Sequence, residues 1–289
     1  MRRIVIGAPH AGSGQSTLAA NLATAAARGG RKTLLFDADP RGCLTEALGA
    51  NPNRGIESRD GFVIWHDFRQ NLDFAALSPL VETGTDLNAF LRNRLAFSAM
   101  ELMFISSPRL RHETLLALAE AADEMILVVT DAPICRRALP GVLSAVEAVT
   151  KLRPSFKLRC IVLNHPESER SQVDETEDWL PKTAPNVALA SLPHAPEQEA
   201  ATLLNSTLVD SVPRSNASQA ITQLLNDLLS DSVTPTKTSV APKPKQVSRT
   251  DKKSRISDLA ERQPNFLLLA VAFALAAILG FLALWLFAP

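Results

Sequence analysis

The stretch from Arg3 to Arg28, RIVIGAPHAGSGQSTLAANLATAAAR, decides the fold class of this 289-residue chain. The apolar run from Arg3 to Ala8 predicts a strand, and the alanine-rich run from about Ser16 to Arg28 predicts a helix. A glycine-rich turn joins the two runs. This arrangement favours an anion site, because backbone N–H groups and the helix dipole at such a turn attract negative charge.

The turn has the position of a phosphate loop but lacks its usual lysine. In the pattern GxxxxGK[ST], Pro9 replaces the first glycine and Gln15 replaces the lysine. Gly12 and Gly14 predict a close approach of the backbone to a phosphate, and the Ser16 hydroxyl stands where a Mg²⁺ ligand is expected. The residues of the turn that we predict to bind a nucleotide are Gly12, Ser13, Gly14, Gln15, Ser16 and Thr17.

Apolar runs and helical runs continue to alternate up to about residue 230. Further strands are predicted at Thr33–Phe36, Leu72–Leu77, Glu101–Ile105, Met125–Thr130, Leu158–Leu163 and Val187–Ala190. Further helices are predicted at Arg111–Ala122, Arg136–Leu152 and Gln219–Leu229. This alternation predicts an α/β fold, a doubly wound and mostly parallel sheet with helices on both faces. Such sheets bind ligands at the carboxyl ends of their strands.

Composition narrows the functional classes. The 30 basic and 30 acidic side chains balance, which argues against a nucleic-acid partner. The hydrophobic fraction of 46% excludes global disorder. Neither disulfides nor a zinc site is predicted, because the three cysteines and the five histidines are scattered along the chain.

Charge and hydropathy divide the chain into three zones. A domain is predicted over residues 1–230, which carry 22 basic and 26 acidic side chains. Residues 231–264 are rich in proline, serine, threonine and lysine, with eight basic and four acidic side chains, and predict a flexible linker. Residues 265–289 carry no charge and predict a single transmembrane helix.

The apolar tail has the length of a membrane span. Residues 266–288 would form a helix of about 34 Å, against a bilayer core of about 30 Å. The basic residues before the span predict a tail anchor in the inner membrane, with the body in the cytoplasm. Those basic residues either contact anionic lipid headgroups or act as a topology signal only.

The body resembles the deviant-Walker ParA/MinD family of P-loop ATPases, whose loop reads KGGxGK[ST]T. Residues His10 to Thr17 resemble that loop, and Phe36 to Gly42 resemble the DxDPQG segment of the family. Ile161 to Asn164 resemble the strand end on the adenine side, and Val212 to Ala217 resemble the PxSxA element before the last helix. The resemblance covers about residues 1–230 and implies a P-loop NTPase fold.

The resemblance also implies roles for particular side chains. It implies that ATP or ADP is bound with Mg²⁺, that Asp39 orients the attacking water, and that Ser16 and Asp37 lie at the metal. It implies an adenine contact for Asn164. Two alternatives stay open: Asp37 and Asp39 cap the turn into the next helix, and Asn164 is a turn residue.

Several charged groups of the family pattern are missing. His10 replaces the lysine that reaches the partner's nucleotide in a dimer, Gln15 replaces the lysine on the phosphates, and Ser106 replaces an aspartate near the metal. Because phosphoryl transfer depends on charge stabilisation, we expect hydrolysis to be very slow or lost. Arg41, at the family's glutamine, either supplies a replacement charge or is a solvated loop arginine.

Within the family, the chain resembles the ParA-like proteins of cellulose secretion operons (BcsQ, also called YhjQ) and, second, the pilus-assembly relatives TadZ and CpaE. We therefore predict a membrane-anchored, homodimeric protein that organises or localises a cell-envelope machine, with the cellulose synthase machinery as the favoured partner. The alternatives are a slow, working ATPase that cycles a partner complex, and a protein that positions a pilus or flagellum.

Overall fold

A computed structural model describes residues 1–50, 56–59, 62–77, 99–164 and 170–230 of the chain. The predicted linker, residues 231–264, and the predicted transmembrane helix, residues 265–289, lie outside the described residues, so both stay predictions. Of the helices in the described ranges, none combines the length and the apolar character that a membrane span requires.

The described strands form one nine-stranded sheet. Their bounds are β1 Arg2–Gly7, β2 Thr33–Asp37, β3 Ile56–Arg59, β4 Phe62–Arg69, β5 Leu72–Leu77, β6 Leu102–Ser106, β7 Glu124–Val129, β8 Lys157–Asn164 and β9 Ala188–Leu192. The order across the sheet is β3-β4-β5-β2-β6-β1-β7-β8-β9. All neighbouring pairs are parallel except β3 with β4 and β4 with β5.

Helices connect most of the parallel strands. The described helices are α1 Gln15–Arg28, α2 Cys43–Ala47, α3 His112–Ala121, α4 Pro133–Leu152, α5 Arg170–Thr183, α6 Glu197–Leu203, α7 Leu208–Ser211 and α8 Asn216–Leu229. The last helix begins with a cap that its sequence predicts, since Ser215 Oγ accepts a hydrogen bond of 3.1 Å from the backbone N of Ser218.

Two apolar layers, one on each face of the sheet, form the core. Ile4 and Ile6 of β1 belong to the layer that contains α1 and α8. Val5, between them, belongs to the layer that contains α3, α4 and the end of α5. Successive side chains of a strand point to opposite faces, so this alternation places helices on both sides of the sheet. The predicted α/β fold with a mostly parallel sheet is confirmed.

An antiparallel hairpin extends the sheet beyond the predicted strands. β4 and β5 pair antiparallel across a short turn in which Asn71 has a φ of +60°, and a bulge between Trp65 and Arg69 shifts their register. The sequence analysis predicted β5 but neither β3 nor β4. In β4 the residues from Phe62 to Trp65 are buried, and this apolar run is as long as the one predicted at Thr33–Phe36, so β4 was open to sequence reasoning.

Five parallel strands bring the predicted site residues to one edge. The carboxyl ends of β2, β6, β1, β7 and β8 lie side by side, because these strands are consecutive in the sheet and parallel. We call this side of the sheet the carboxyl edge. The phosphate loop leaves it from β1, the segment of Asp37 and Asp39 from β2, and Asn164 ends β8 there.

Candidate functional site

The phosphate loop joins β1 to α1 through two glycines in left-handed conformations. Gly12 has a φ of +82° and Gly14 a φ of +86°, a region that glycine enters without steric cost. Gly14 carries a second constraint, because a Cβ atom built on it would lie 2.4 Å from Nδ2 of Asn164. The loop therefore follows the sharp path that brings backbone N–H groups toward an anion.

Asn164 supports the loop from the neighbouring strand. It is the last residue of β8, and its Nδ2 donates a hydrogen bond of 3.0 Å to the backbone carbonyl of Ser13. Ser13 is 1% exposed, so this contact satisfies a carbonyl in a buried part of the loop. The structure thus brings Asn164 to the loop, whereas its contact with adenine stays a prediction.

The start of α1 is joined to the end of β6 by two uncharged contacts. Gln15 Nε2 donates a hydrogen bond of 2.6 Å to the carbonyl oxygen of Ser107. The hydroxyl oxygen of the next residue, Ser16, lies 3.0 Å from that of Ser106. Ser106 and Ser107 are fully buried. We call these four residues the neutral clip.

The neutral clip occupies the positions of two lost charges. Gln15 stands where the phosphate-loop pattern has a lysine, and Ser106 stands where the family has an aspartate near the metal. Ser106 is buried, so an aspartate there would require a partner of opposite charge in the absence of a metal, whereas position 15 is only partly buried. Amide, hydroxyl and carbonyl groups satisfy one another here, so the loop is held in place without a bound anion.

His10 lies across the loop toward β7. Its Nδ1 is 2.6 Å from the carbonyl oxygen of Ala11, and its Nε2 is 3.3 Å from Oγ1 of Thr130. A carbonyl only accepts, so Nδ1 is assigned as the donor, and in the neutral ring Nε2 accepts from Thr130. Both ring nitrogens are therefore occupied by neighbours. Within the described ranges no cluster of three or more metal-ligating side chains occurs.

Asp37 is buried at the end of β2 and is bound by its own chain. Its Oδ2 accepts hydrogen bonds from the backbone N and from Oγ1 of Thr45, at 3.0 and 2.9 Å, and its Oδ1 accepts one from the backbone N of Asp39. Burial raises the pKa of Asp37, and the hydrogen bonds from Thr45 lower it by a smaller amount. These contacts match the capping alternative, because Thr45 lies in α2. A metal contact for Asp37 stays a prediction.

Asp39 is bound by Arg41. Its carboxylate accepts hydrogen bonds from the backbone N of Arg41 and from Nε of the same residue, both at 3.0 Å to Oδ1, and it forms an ion pair with the guanidinium. Burial alone would raise the pKa of Asp39, but the hydrogen bonds and the charge of Arg41 outweigh it and hold the pKa below its ordinary value. The Arg41 side chain lies in a loop and is 58% exposed, as in the solvated alternative, and its role as a replacement charge stays a prediction. Its guanidinium pairs with the carboxylate that was predicted to orient water.

The structure also identifies a carboxylate that the sequence analysis missed. Asp131 follows β7 at the carboxyl edge, next to Thr130, and is 4% exposed. Its Oδ2 is buried and has no hydrogen-bond partner among the described residues. The sequence feature that could have revealed Asp131 is its position directly after a buried strand, β7, which neighbours β1.

Solved structures share this fold over most of the chain. The septum site-determining protein MinD in complex with Mg-ADP, from Pyrococcus horikoshii, has a TM-score of 0.64 and 20% identity, covering 81% of this chain and 99% of MinD. A Cyanothece McdA(D38A)–ATP complex has a TM-score of 0.65 and 17% identity, covering 80% of this chain and 96% of McdA. At these identities the similarity concerns the fold.

Sequence comparison shows the family. The chromosome-partitioning ATPase Soj of Thermus thermophilus is 31% identical over 174 residues, which are 56% of this chain and 69% of Soj. The sequence model of the CobQ/CobB/MinD/ParA nucleotide binding domain matches residues 4–229, nearly all of the predicted body. Together with the nine-stranded sheet and the loop between β1 and α1, these matches show that the chain belongs to the CobQ/CobB/MinD/ParA family.

Proposed function

We propose that this protein binds ATP or ADP with Mg²⁺ weakly, hydrolyses ATP very slowly or not at all, and positions a cell-envelope machine. The observation that carries this proposal is the neutral clip. The side-chain amide of Gln15 donates a hydrogen bond to the carbonyl of Ser107. The residue that replaces the phosphate lysine therefore contributes a structural contact and no charge.

The lost charges bear most heavily on hydrolysis. Removing a single group that stabilises the transition state commonly costs about 10²- to 10³-fold in rate, and here both lysines of the family loop are replaced. Asp39, the carboxylate left at the water-orienting position, is paired with Arg41. Hydrolysis of ATP would therefore proceed without the two lysine charges and without an unpaired carboxylate at Asp39.

The loop still fits a phosphate group. The left-handed glycines give the loop a path on which backbone N–H groups can hold an anion without a lysine, and a side chain at Gly14 would displace Asn164 from the loop. The backbone of residues 12–17 would hold the phosphates, the Ser16 hydroxyl would face Mg²⁺, and Asn164 would border the base. When bound, the metal would supply charge at the phosphates. This set of donors supports weak rather than tight binding.

The positioning role and the partners are inferred from relatives and from the tail. Soj and MinD are described as chromosome-partitioning and septum site-determining proteins, respectively, which supports a role in spatial organisation. The apolar segment 265–289 and the basic linker before it support a homodimeric, tail-anchored protein of the inner membrane. We propose cellulose or another exopolysaccharide synthase complex as the partner, with a pilus or flagellum as the second candidate.

A working ATPase is the alternative function, and two measurements on the detergent-solubilised full chain separate it from our proposal. We expect weak ATP binding and almost no phosphate release. The double variant Gln15→Lys with His10→Lys should tighten ATP binding, whereas Gln223→Lys, on the exposed face of α8, should not. Low-micromolar binding by the wild type together with phosphate release at the rates of active family members would show that the proposal is wrong.

A further inference from the structure

The segment that follows β6 carries two arginines at the carboxyl edge. Arg109 and Arg111 are exposed, whereas Leu110 between them is 8% exposed. Neither arginine has a hydrogen bond or an ion pair through its side chain among the described residues. Two unpaired guanidinium groups therefore flank a buried leucine on a domain whose net charge is negative.

Two contacts hold this segment against the phosphate loop. Leu110 packs on Gly7, the last residue of β1, because a Cβ on Gly7 would lie 2.9 Å from Cδ1 of Leu110. On the other side, the carbonyl of Ser107 accepts the hydrogen bond from Gln15 at the start of α1. Arg109 lies between these anchors, and its backbone is at most about 7 Å from that of Ser107. These contacts of its neighbours fix the position of the Arg109 backbone near the loop.

Two other side chains near the loop that can carry a positive charge are already engaged. The guanidinium of Arg41 pairs with Asp39, and both ring nitrogens of His10 contact neighbouring oxygens. Gln15, which replaces the lysine, is neutral. Arg111 is unpaired as well, but it lies beyond Leu110 at the start of α3, so Arg109 is the unpaired arginine between the two anchors.

We propose that Arg109 binds the outer phosphates of a nucleoside di- or triphosphate held by the loop. Its planar guanidinium would donate two parallel hydrogen bonds to phosphate oxygens and supply part of the positive charge lost with the two lysines. This inference rests on the proposed nucleotide site. It identifies a binding residue that the phosphate-loop motif does not contain.

The test measures affinities for ATP, ADP and AMP, each with Mg²⁺, on the detergent-solubilised full chain. Arg109→Ala is compared with the wild type and with Arg153→Ala. The control removes the same charge, but Arg153 follows the end of α4 at the opposite edge of the sheet, where its guanidinium donates a hydrogen bond to the carbonyl of Glu120. Both arginines are exposed, so neither change should disturb folding, and far-UV circular dichroism confirms this.

We expect Arg109→Ala to weaken binding of ATP and ADP by about 10- to 100-fold, because hydrogen bonds between a charged guanidinium and the phosphates would be lost. AMP, which has no outer phosphate, should bind both variants equally, and Arg109→Lys should retain part of the affinity for ATP. Equal ATP and ADP affinities of Arg109→Ala and Arg153→Ala would overturn the role of Arg109 and leave the nucleotide site in place. A wild-type chain that binds none of the three nucleotides would overturn the proposed site itself.

Discussion

Replacing Gly14 with alanine should destabilise the protein more than the same change at Gly12. Both glycines have a φ near +85°, and an alanine held in that region costs about 1–2 kcal/mol. At Gly12 the new Cβ meets no atom of the described residues within 4 Å, so only this backbone cost applies. At Gly14 the Cβ would lie 2.4 Å from Nδ2 of Asn164, which must rotate away and give up its hydrogen bond to the buried carbonyl of Ser13.

The lost hydrogen bond adds about 1–3 kcal/mol for a buried acceptor left without a donor. We therefore expect about 1–2 kcal/mol for Gly12→Ala and about 2–5 kcal/mol for Gly14→Ala. The assay is urea unfolding of the full chain without nucleotide. On an Asn164→Ala background the carbonyl has already lost its donor, so Gly14→Ala should cost no more than Gly12→Ala. If Gly14→Ala cost the same in the wild type and in the Asn164→Ala variant, the argument that Asn164 supports the loop would be refuted.

Three further predictions concern the clip, the acidic pair and the tail. Gln15→Ala should lower the free energy of unfolding by about 1–2 kcal/mol in urea, because the buried carbonyl of Ser107 loses its donor. The pKa of Asp39 lies below its ordinary value of 3.8, so the stability that this carboxylate contributes should be present above about pH 4 and lost as the pH falls through the lowered pKa. In the Arg41→Gln variant the effect of burial on the pKa of Asp39 should dominate, so this pKa, measured by NMR, should rise above 3.8. The loss of stability at acid pH should then disappear. If residues 265–289 span the membrane, carbonate extraction should leave the protein in the membrane pellet, and its release into the supernatant would contradict the transmembrane prediction.

The central strands could be predicted because they are buried on both faces and therefore read as continuous apolar runs. The runs predicted at Thr33–Phe36 and Leu158–Leu163 lie within β2 and β8. Helix α5 gave no such signal, since its sequence is rich in acidic residues and contains Pro181. A sequence with so few apolar positions shows no clear period of 3.6.

The positions of the loop residues could also be predicted, whereas their partners could not. A glycine-rich turn after a strand specifies its own backbone path, since positive φ angles require glycine. The hydrogen bond between Gln15 and Ser107 joins residues 92 positions apart, and only the folded sheet brings them together. The pairing of Arg41 with Asp39 is local, at a separation of two residues, and was open to sequence reasoning as a third alternative.

The two substitutions in the neutral clip are best understood as a pair. A lysine in place of Gln15 alone would project a charge against the carbonyl of Ser107 and the hydroxyl of Ser106, with no carboxylate opposite it. An aspartate in place of Ser106 alone would face Ser16 without a metal or a lysine to balance it. Ser106→Asp buries an uncompensated charge and should destabilise the protein in the absence of nucleotide, and Gln15→Lys, at a partly buried position, should do so by a smaller amount. The double variant Gln15→Lys with Ser106→Asp restores a pair of opposite charges, so we expect its free energy of unfolding to exceed the value calculated from the single variants. Strict additivity in urea unfolding would show that the two positions act independently, and the neutral clip would then not be the unit that holds the loop.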